Sequence, residues 1–175
     1  MCNKFVITGK SNTGKSSVLD KVLEDKNYRP IGFRMNHIKI ENEFRGYYIH
    51  SIKDVEGYHN NLPIQTTFSK SNERLDLTKV YDTFGVDCLK DVLKTDKEDY
   101  DCIVIDELGR GEHTSKNFIK YINKILDSSD TVFILMKTIS NEVTSEIKKR
   151  RDLLLYDLDN MSQEEVIRNI EDKIP

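Results

Sequence analysis

Apolar and polar positions alternate along the chain in two rhythms, one of strands and one of helices. Residues 4–8, Lys-Phe-Val-Ile-Thr, are a short apolar run, and Val18, Leu19, Val22 and Leu23 then recur at helical spacing after Gly14. A buried strand therefore leads through a loop into a helix. Asn27-Tyr28-Arg29-Pro30 marks a break, because proline disfavours helix at the residue before it. Ile31-Gly32-Phe33 opens an extended segment through Ile38 and Ile40; residues 41–45 read as a polar turn and 46–52 as a returning strand. Ile38, Ile40, Tyr47 and Ile49 alternate with polar neighbours, the period of a strand with one buried face, so the region predicts a β-hairpin. A third short strand is expected at 62–68 after the turn at Val55-Glu56-Gly57, and 69–77 reads as irregular.

The second half repeats strand and helix in turn. Residues 84–93 predict a helix with Val86, Leu89, Val92 and Leu93 on its apolar side. Cys102-Ile103-Val104-Ile105 is apolar without alternation, as in a strand covered on both faces, and it ends in Asp106-Glu107-Leu108-Gly109. Phe118, Ile119, Ile122, Ile125 and Leu126 mark an amphipathic helix with Thr114 or Ser115 as its N-cap. A buried strand at 131–136, a helix at 141–151, a strand at 153–158 and a helix from Ser162 complete the pattern. Strands alternating with helices argue for an α/β fold whose central sheet is mostly parallel, with helices on both faces and the β-hairpin inserted at about 31–68.

The first loop carries the chemistry. Gly9-Lys10-Ser11-Asn12-Thr13-Gly14-Lys15-Ser16, followed by Ser17, places two glycines around four residues and then Lys and a hydroxyl, between a strand and a helix. Backbone N–H groups must converge on phosphate oxygens there, which calls for glycine, and the following helix directs its positive end at the same anion. Lys15 would reach the β- and γ-phosphates, and the Ser16 hydroxyl would coordinate Mg²⁺.

In an open α/β sheet the ligand lies beyond the carboxyl ends of the strands, so Asp106 and Glu107 belong to the same edge as the loop. Asp106 fits the acidic residue that holds Mg²⁺, commonly through a water, against the plainer reading of a strand-end cap. Glu107 suits a general base that deprotonates a water for attack on the γ-phosphate, against that of a solvated surface glutamate. Glu112 is divided between the site and the surface. Arg110, Arg150 and Arg151 are candidates for meeting phosphate oxygens, although a basic run such as Lys148-Lys149-Arg150-Arg151 also suits a solvated helix end. Asp20 and Lys21 read as exposed helix face.

Composition narrows the partners. One domain of 175 residues buries a core without staples, and 33% charged residues beside 37% hydrophobic ones suit a solvated exterior. There is no apolar run of membrane-spanning length and no signal-peptide pattern, so no membrane partner is expected. A net charge of −3 gives no reason to expect nucleic acid. Cys2, Cys88 and Cys102 are odd in number and lack ligand spacing, which reads as reduced thiols in a cytoplasmic protein. The four histidines form no ligand set.

With both motifs in place, the chain resembles the small THEP-type nucleoside-triphosphatase family, which includes the cancer-related nucleoside-triphosphatase. The resemblance rests on the segment from Gly9 through Ser17, on Ile31-Gly32-Phe33 leading into a Gly46-containing hairpin, and on Val104-Ile105-Asp106-Glu107-Leu108-Gly109. Glu112, Ser115 and the Lys116-Asn117-Phe118 helix follow at family-like positions. The resemblance implies a three-layer P-loop NTPase fold of RecA-like type. It also implies Mg²⁺-dependent hydrolysis of nucleoside 5′-triphosphates, ATP, GTP and others, to diphosphate and phosphate with broad base tolerance. The chain departs from the family at Ser11-Asn12-Thr13, where Pro and Gly are usual, and at Ser16-Ser17, where Thr-Thr is. Arg34-Met35-Asn36 replaces an acidic stretch, which bears on substrate preference, and Arg110-Gly111 replaces Lys-Met.

Three functions compete: a hydrolase of the γ-phosphate, a P-loop kinase transferring it to a nucleotide or small-molecule acceptor, and a nucleotide-dependent switch acting on a protein. Glu107 favours hydrolysis, since a carboxylate aimed at water is what a kinase should avoid. The absence of an Asn-Lys-x-Asp motif disfavours a GTP-specific switch. The partner expected is the triphosphate alone, with the protein a monomer or weak oligomer.

Overall fold

The apolar runs become the inner strands of one sheet because each offers a side chain to both faces. The structure, a computed structural model, describes residues 3–59, 61–67, 74–76, 78–109 and 115–174. Its order is β1 (Lys4–Gly9), α1 (Lys15–Asp25), β2 (Pro30–Ile40), β3 (Glu43–Ser51), β4 (Asn61–Thr67), β5 (Arg74–Asp76), α2 (Phe84–Lys94), β6 (Cys102–Leu108), α3 (Lys116–Leu126), β7 (Val132–Lys137), α4 (Glu142–Lys149), β8 (Leu154–Asp157) and α5 (Gln163–Glu171). The strands form one sheet in the order β5-β4-β3-β2-β6-β7-β1-β8. The pairs β2–β6, β6–β7, β7–β1 and β1–β8 are parallel; β2–β3, β3–β4 and β4–β5 are antiparallel.

Two cores sandwich the sheet. Val6, Ile103, Ile105, Ile134 and Met136 point to one side, where α2, α3 and α4 pack with Phe84, Phe118 and Val143. Phe5, Ile7, Val104, Phe133 and Leu135 point to the other, against Val18 and Leu19 of α1 and Val166 and Ile170 of α5. Each fully buried side chain of this size contributes roughly 1.5–3 kcal/mol. The result is the three-layer α/β fold expected, with the hairpin inserted after α1. Cys88 and Cys102 are free and buried, and burial pushes both thiols up to about 12.

Caps explain where helices start and stop. Ser115 Oγ accepts from Phe118 N at 3.1 Å, which makes Ser115 the N-cap of α3; Thr114 lies outside the described residues. The Asn141 side chain caps α4 in a capping box with Thr144. Asn27, at φ 51, turns left-handed just past α1, and Tyr28 N bonds back to Leu23 O at 2.9 Å.

Two expectations are corrected. The turn is only Glu41-Asn42, both at positive φ, and Glu43-Phe44-Arg45 belong to β3. This end of the hairpin extends past the core, so burial imposes no apolar alternation there. Arg74–Asp76, inside a stretch read as irregular, pairs with β4 as an edge strand. A three-residue strand held by backbone pairing carries too few residues to show a period. Residues 68–73 and 77, covering the rest of that stretch and Phe68 of the expected third strand, lie outside the described residues.

Candidate active site

The strand order brings the two motifs to one edge. β1 delivers the loop at its carboxyl end and β6 delivers Asp106 at its own, with β7 between them. Gly14 is the N-cap of α1 at φ 90, a left-handed conformation that favours glycine, and a Cβ there would stand 2.2 Å from Gln163 Nε2. The loop thus reverses without a side chain, and the first amides of α1 are directed into it. The Lys15 ammonium is buried within the loop, donating to Gly9 O at 2.9 Å and Lys10 O at 2.7 Å. Thr13 Oγ1 donates to Lys10 O at 3.0 Å.

Contacts from β7, β8 and α5 hold the loop from outside. Lys10 N donates to Asp159 Oδ1 at 3.1 Å, Thr138 Oγ1 donates to Asp159 Oδ2 at 3.1 Å, and Gln163 Nε2 donates to Thr13 O at 3.0 Å. The Asp159 carboxyl lies below the usual carboxylate range, first because it accepts the Lys10 amide, then because of the Thr138 hydroxyl and the nearby charges of Lys10 and Lys15.

A cleft of about 650 Å³ opens over the loop. Ser11, Asn12, Gly14, Lys15, Ser16 and Ser17 form its loop side. The β2–β3 hairpin faces them with Met35, Asn36, His37, Phe44 and Tyr47, and Asp106 lines the same cleft. Asp106 is buried, and its Oδ2 accepts from Met35 N at 3.2 Å, which ties the carboxylate to the hairpin. The β6–β7 register slips between Ile105 and Leu108, so Asp106 and Glu107 together stand opposite Leu135. A bulge of this kind re-aims a strand end and is frequent beside active sites. Glu107 is the next residue of that strand.

The cleft therefore gathers Ser11, Asn12, Gly14, Lys15, Ser16, Ser17 and Asp106 from the expected set, with Gly9, Lys10 and Thr13 completing the loop. It does not gather the distal arginine. Arg150 caps α4 where β8 begins, at the edge of the sheet opposite the loop, and pairs with Asp127 and Asp152 at 2.8 Å each. Arg151 follows it in an exposed turn. Arg110 and Glu112 lie outside the described residues. Asp20 is exposed helix face, as expected, and pairs there with Arg34 Nη1 at 2.7 Å, joining α1 to the hairpin.

Several residues in or beside the cleft had no motif to mark them. The hairpin rings become neighbours of the loop only through the sheet order. Lys137 ends β7 directly beside Gly9, with its ammonium 5.9 Å from the Tyr47 ring centre. Asp159 sits after β8, the parallel neighbour of β1, where the strand-end rule points.

Among known proteins, the family model described as NTPase matches residues 4–171. The chain belongs to the NTPase family. A relative named nucleoside-triphosphatase THEP1, from Thermotoga sp. (strain RQ2), is 25% identical over 167 residues, covering 95% of this chain and 92% of its own. The crystal structure of THEP1 from the hyperthermophile Aquifex aeolicus superposes with a TM-score of 0.71 at 22% identity, over 98% of this chain and 96% of that one. The solution structure of a human cancer-related nucleoside triphosphatase does so with a TM-score of 0.67 at 17% identity, over 97% and 94%. These likenesses show the three-layer P-loop NTPase fold. No helix among the described residues is long and apolar enough to cross a membrane.

Proposed function

We propose that the protein is a cytoplasmic, single-domain nucleoside-triphosphatase that hydrolyses nucleoside 5′-triphosphates, ATP and GTP among them, to diphosphate and phosphate with Mg²⁺. One observation carries the reading: the buried Asp106 carboxylate and the phosphate loop line the same cleft. Family membership and the THEP1 relatives support it from outside.

The donor set fits magnesium. Asp106 and the exposed Ser16 offer hard oxygen ligands in that cleft, and Mg²⁺ needs few protein ligands because it keeps waters and takes phosphate oxygens. When bound, the ion would neutralise charge on the β- and γ-phosphates. The chain itself would act in three ways. Amides from Gly9 through Ser17 cradle the phosphates. Lys15 exchanges its carbonyl partners for β- and γ-phosphate oxygens. Glu107 accepts a proton from the water that attacks the γ-phosphorus, while the bond to the bridging β–γ oxygen breaks and diphosphate leaves.

The test is phosphate release from ATP, GTP, CTP and UTP with Mg²⁺ or EDTA, wild type beside Glu107→Gln, with a panel of acceptors in parallel. Release from several triphosphates is expected, lost with EDTA and lowered on the order of 10²-fold or more in the variant while nucleotide still binds. Transfer to an acceptor with negligible release would replace hydrolase by kinase. Tight binding without turnover of any kind would leave a switch.

A further inference from the structure

Three aromatic rings of the hairpin face the phosphate loop across the cleft. His37, Phe44 and Tyr47 line the cleft and pack edge to face on one another, with centroids 4.9–5.4 Å apart and planes at 64–88°. His37 and Tyr47 are directly opposite in the β2–β3 register, so the backbone fixes their spacing. Each edge-to-face pair engages one ring face and Lys137 stands over the Tyr47 ring, but Phe44 keeps 50% of its surface exposed and offers the wall's open ring. A partly wet aromatic wall beside a phosphate loop matches a planar heteroaromatic ring, because every nucleobase has a π-face to stack.

The wall's position decides whose base it takes. Met35 N bonds to Asp106, which puts the hairpin on the Asp106 side of the loop; β8 and Asp159 flank the other side. The metal-holding carboxylate marks the β,γ end of a triphosphate. The nucleoside end of that triphosphate therefore runs away from the rings, toward β8. We propose that His37, Phe44 and Tyr47 form a second subsite, which takes the base of a nucleoside beside the terminal phosphate of the bound triphosphate. The inference rests on the hydrolase reading above only for which end of the triphosphate lies at Asp106.

The experiment has two steps on the full chain. First, a non-hydrolysable ATP analogue with Mg²⁺ is titrated by calorimetry; this reports on the triphosphate site alone. Second, adenosine, guanosine, cytidine and uridine are titrated into analogue-saturated protein, with saturation-transfer NMR in parallel and Phe44→Ala beside wild type. Binding of at least one nucleoside to the loaded protein is expected, weakened about tenfold or more by Phe44→Ala, with analogue affinity unchanged within about twofold. Because Phe44 is exposed on the hairpin, the variant keeps the buried core intact. Three results overturn the subsite and leave the triphosphate site standing: no nucleoside binding to loaded protein, nucleoside competing with the analogue, or Phe44→Ala weakening the analogue itself. Failure of the analogue to bind in the first step overturns both.

Discussion

Gly32 shows how one residue positions the Asp106 carboxylate. It sits in β2 opposite Val104 of β6 at φ 108, and a Cβ there would lie 2.2 Å from Val104 O. The obstacle is a backbone carbonyl inside the sheet, so it cannot move aside as a flexible side chain would. Backbone strain at a positive φ adds roughly 1–3 kcal/mol for any other residue. Gly32→Ala is therefore expected to lower stability by about 3 kcal/mol or more in urea unfolding, far above the ~1 kcal/mol typical of a point change. The damage should reach the site, because the same strand continues to Met35, whose amide holds Asp106. A variant as stable as wild type would mean that β2 and β6 separate here without penalty. The Gly-Phe pair was visible in the sequence as a family mark, but its reason was not: the clash is with a residue 72 positions away.

At the scale of elements, the phosphate loop depends on the turn after β8. Asp159 accepts one loop amide and the Thr138 hydroxyl, and Gln163 donates to Thr13 O. The Asp159 carboxyl is depressed by these contacts, so its contribution is complete above its unfolded value near ~4 and is lost only as pH falls through the lower folded value. The tether is therefore intact at neutral pH. Asp159→Ala is expected to raise Kd for a triphosphate analogue a few-fold, since a solvent-exposed charged hydrogen bond is worth little more, and to leave the melting temperature within a few degrees. An unchanged Kd would show that the loop holds its shape alone. The alternating elements and the loop itself were legible because hydrophobic period and glycine spacing are local properties. The tether, the aromatic wall and the Arg34–Asp20 pair were not, because each joins residues that only the strand order makes neighbours. Arg150 had two readings for a related reason: a basic run looks the same at either end of a sheet, and only topology shows that this one is a helix end away from the loop.

The whole molecule is a sheet of two characters. β6, β7 and β1 each have a parallel neighbour on both sides and side chains buried on both faces. β8 is an edge that leaves Leu155 44% exposed, and β5 is a three-residue edge at the end of the antiparallel extension. Local opening follows such differences, since it costs least where few apolar contacts and ladder bonds must break. Native-state amide exchange should therefore rank the strands, slowest in β1, β6 and β7, faster in β8, and fastest in β5 with the hairpin tip at Glu41-Asn42. Saturating with a triphosphate analogue at a hundred times its Kd should slow the globally exchanging amides by about a hundredfold, the mass-action effect of ~2.7 kcal/mol. Locally opening amides of β5 should not respond, because their opening leaves the cleft intact. Hairpin amides near Met35 should respond, because Asp106 ties that segment to the site. If β5 were instead protected as strongly as β1, the antiparallel extension and the parallel core would open as one cooperative unit. The hairpin would then be a rigid wall of the cleft, and ligand-induced protection would extend across all eight strands.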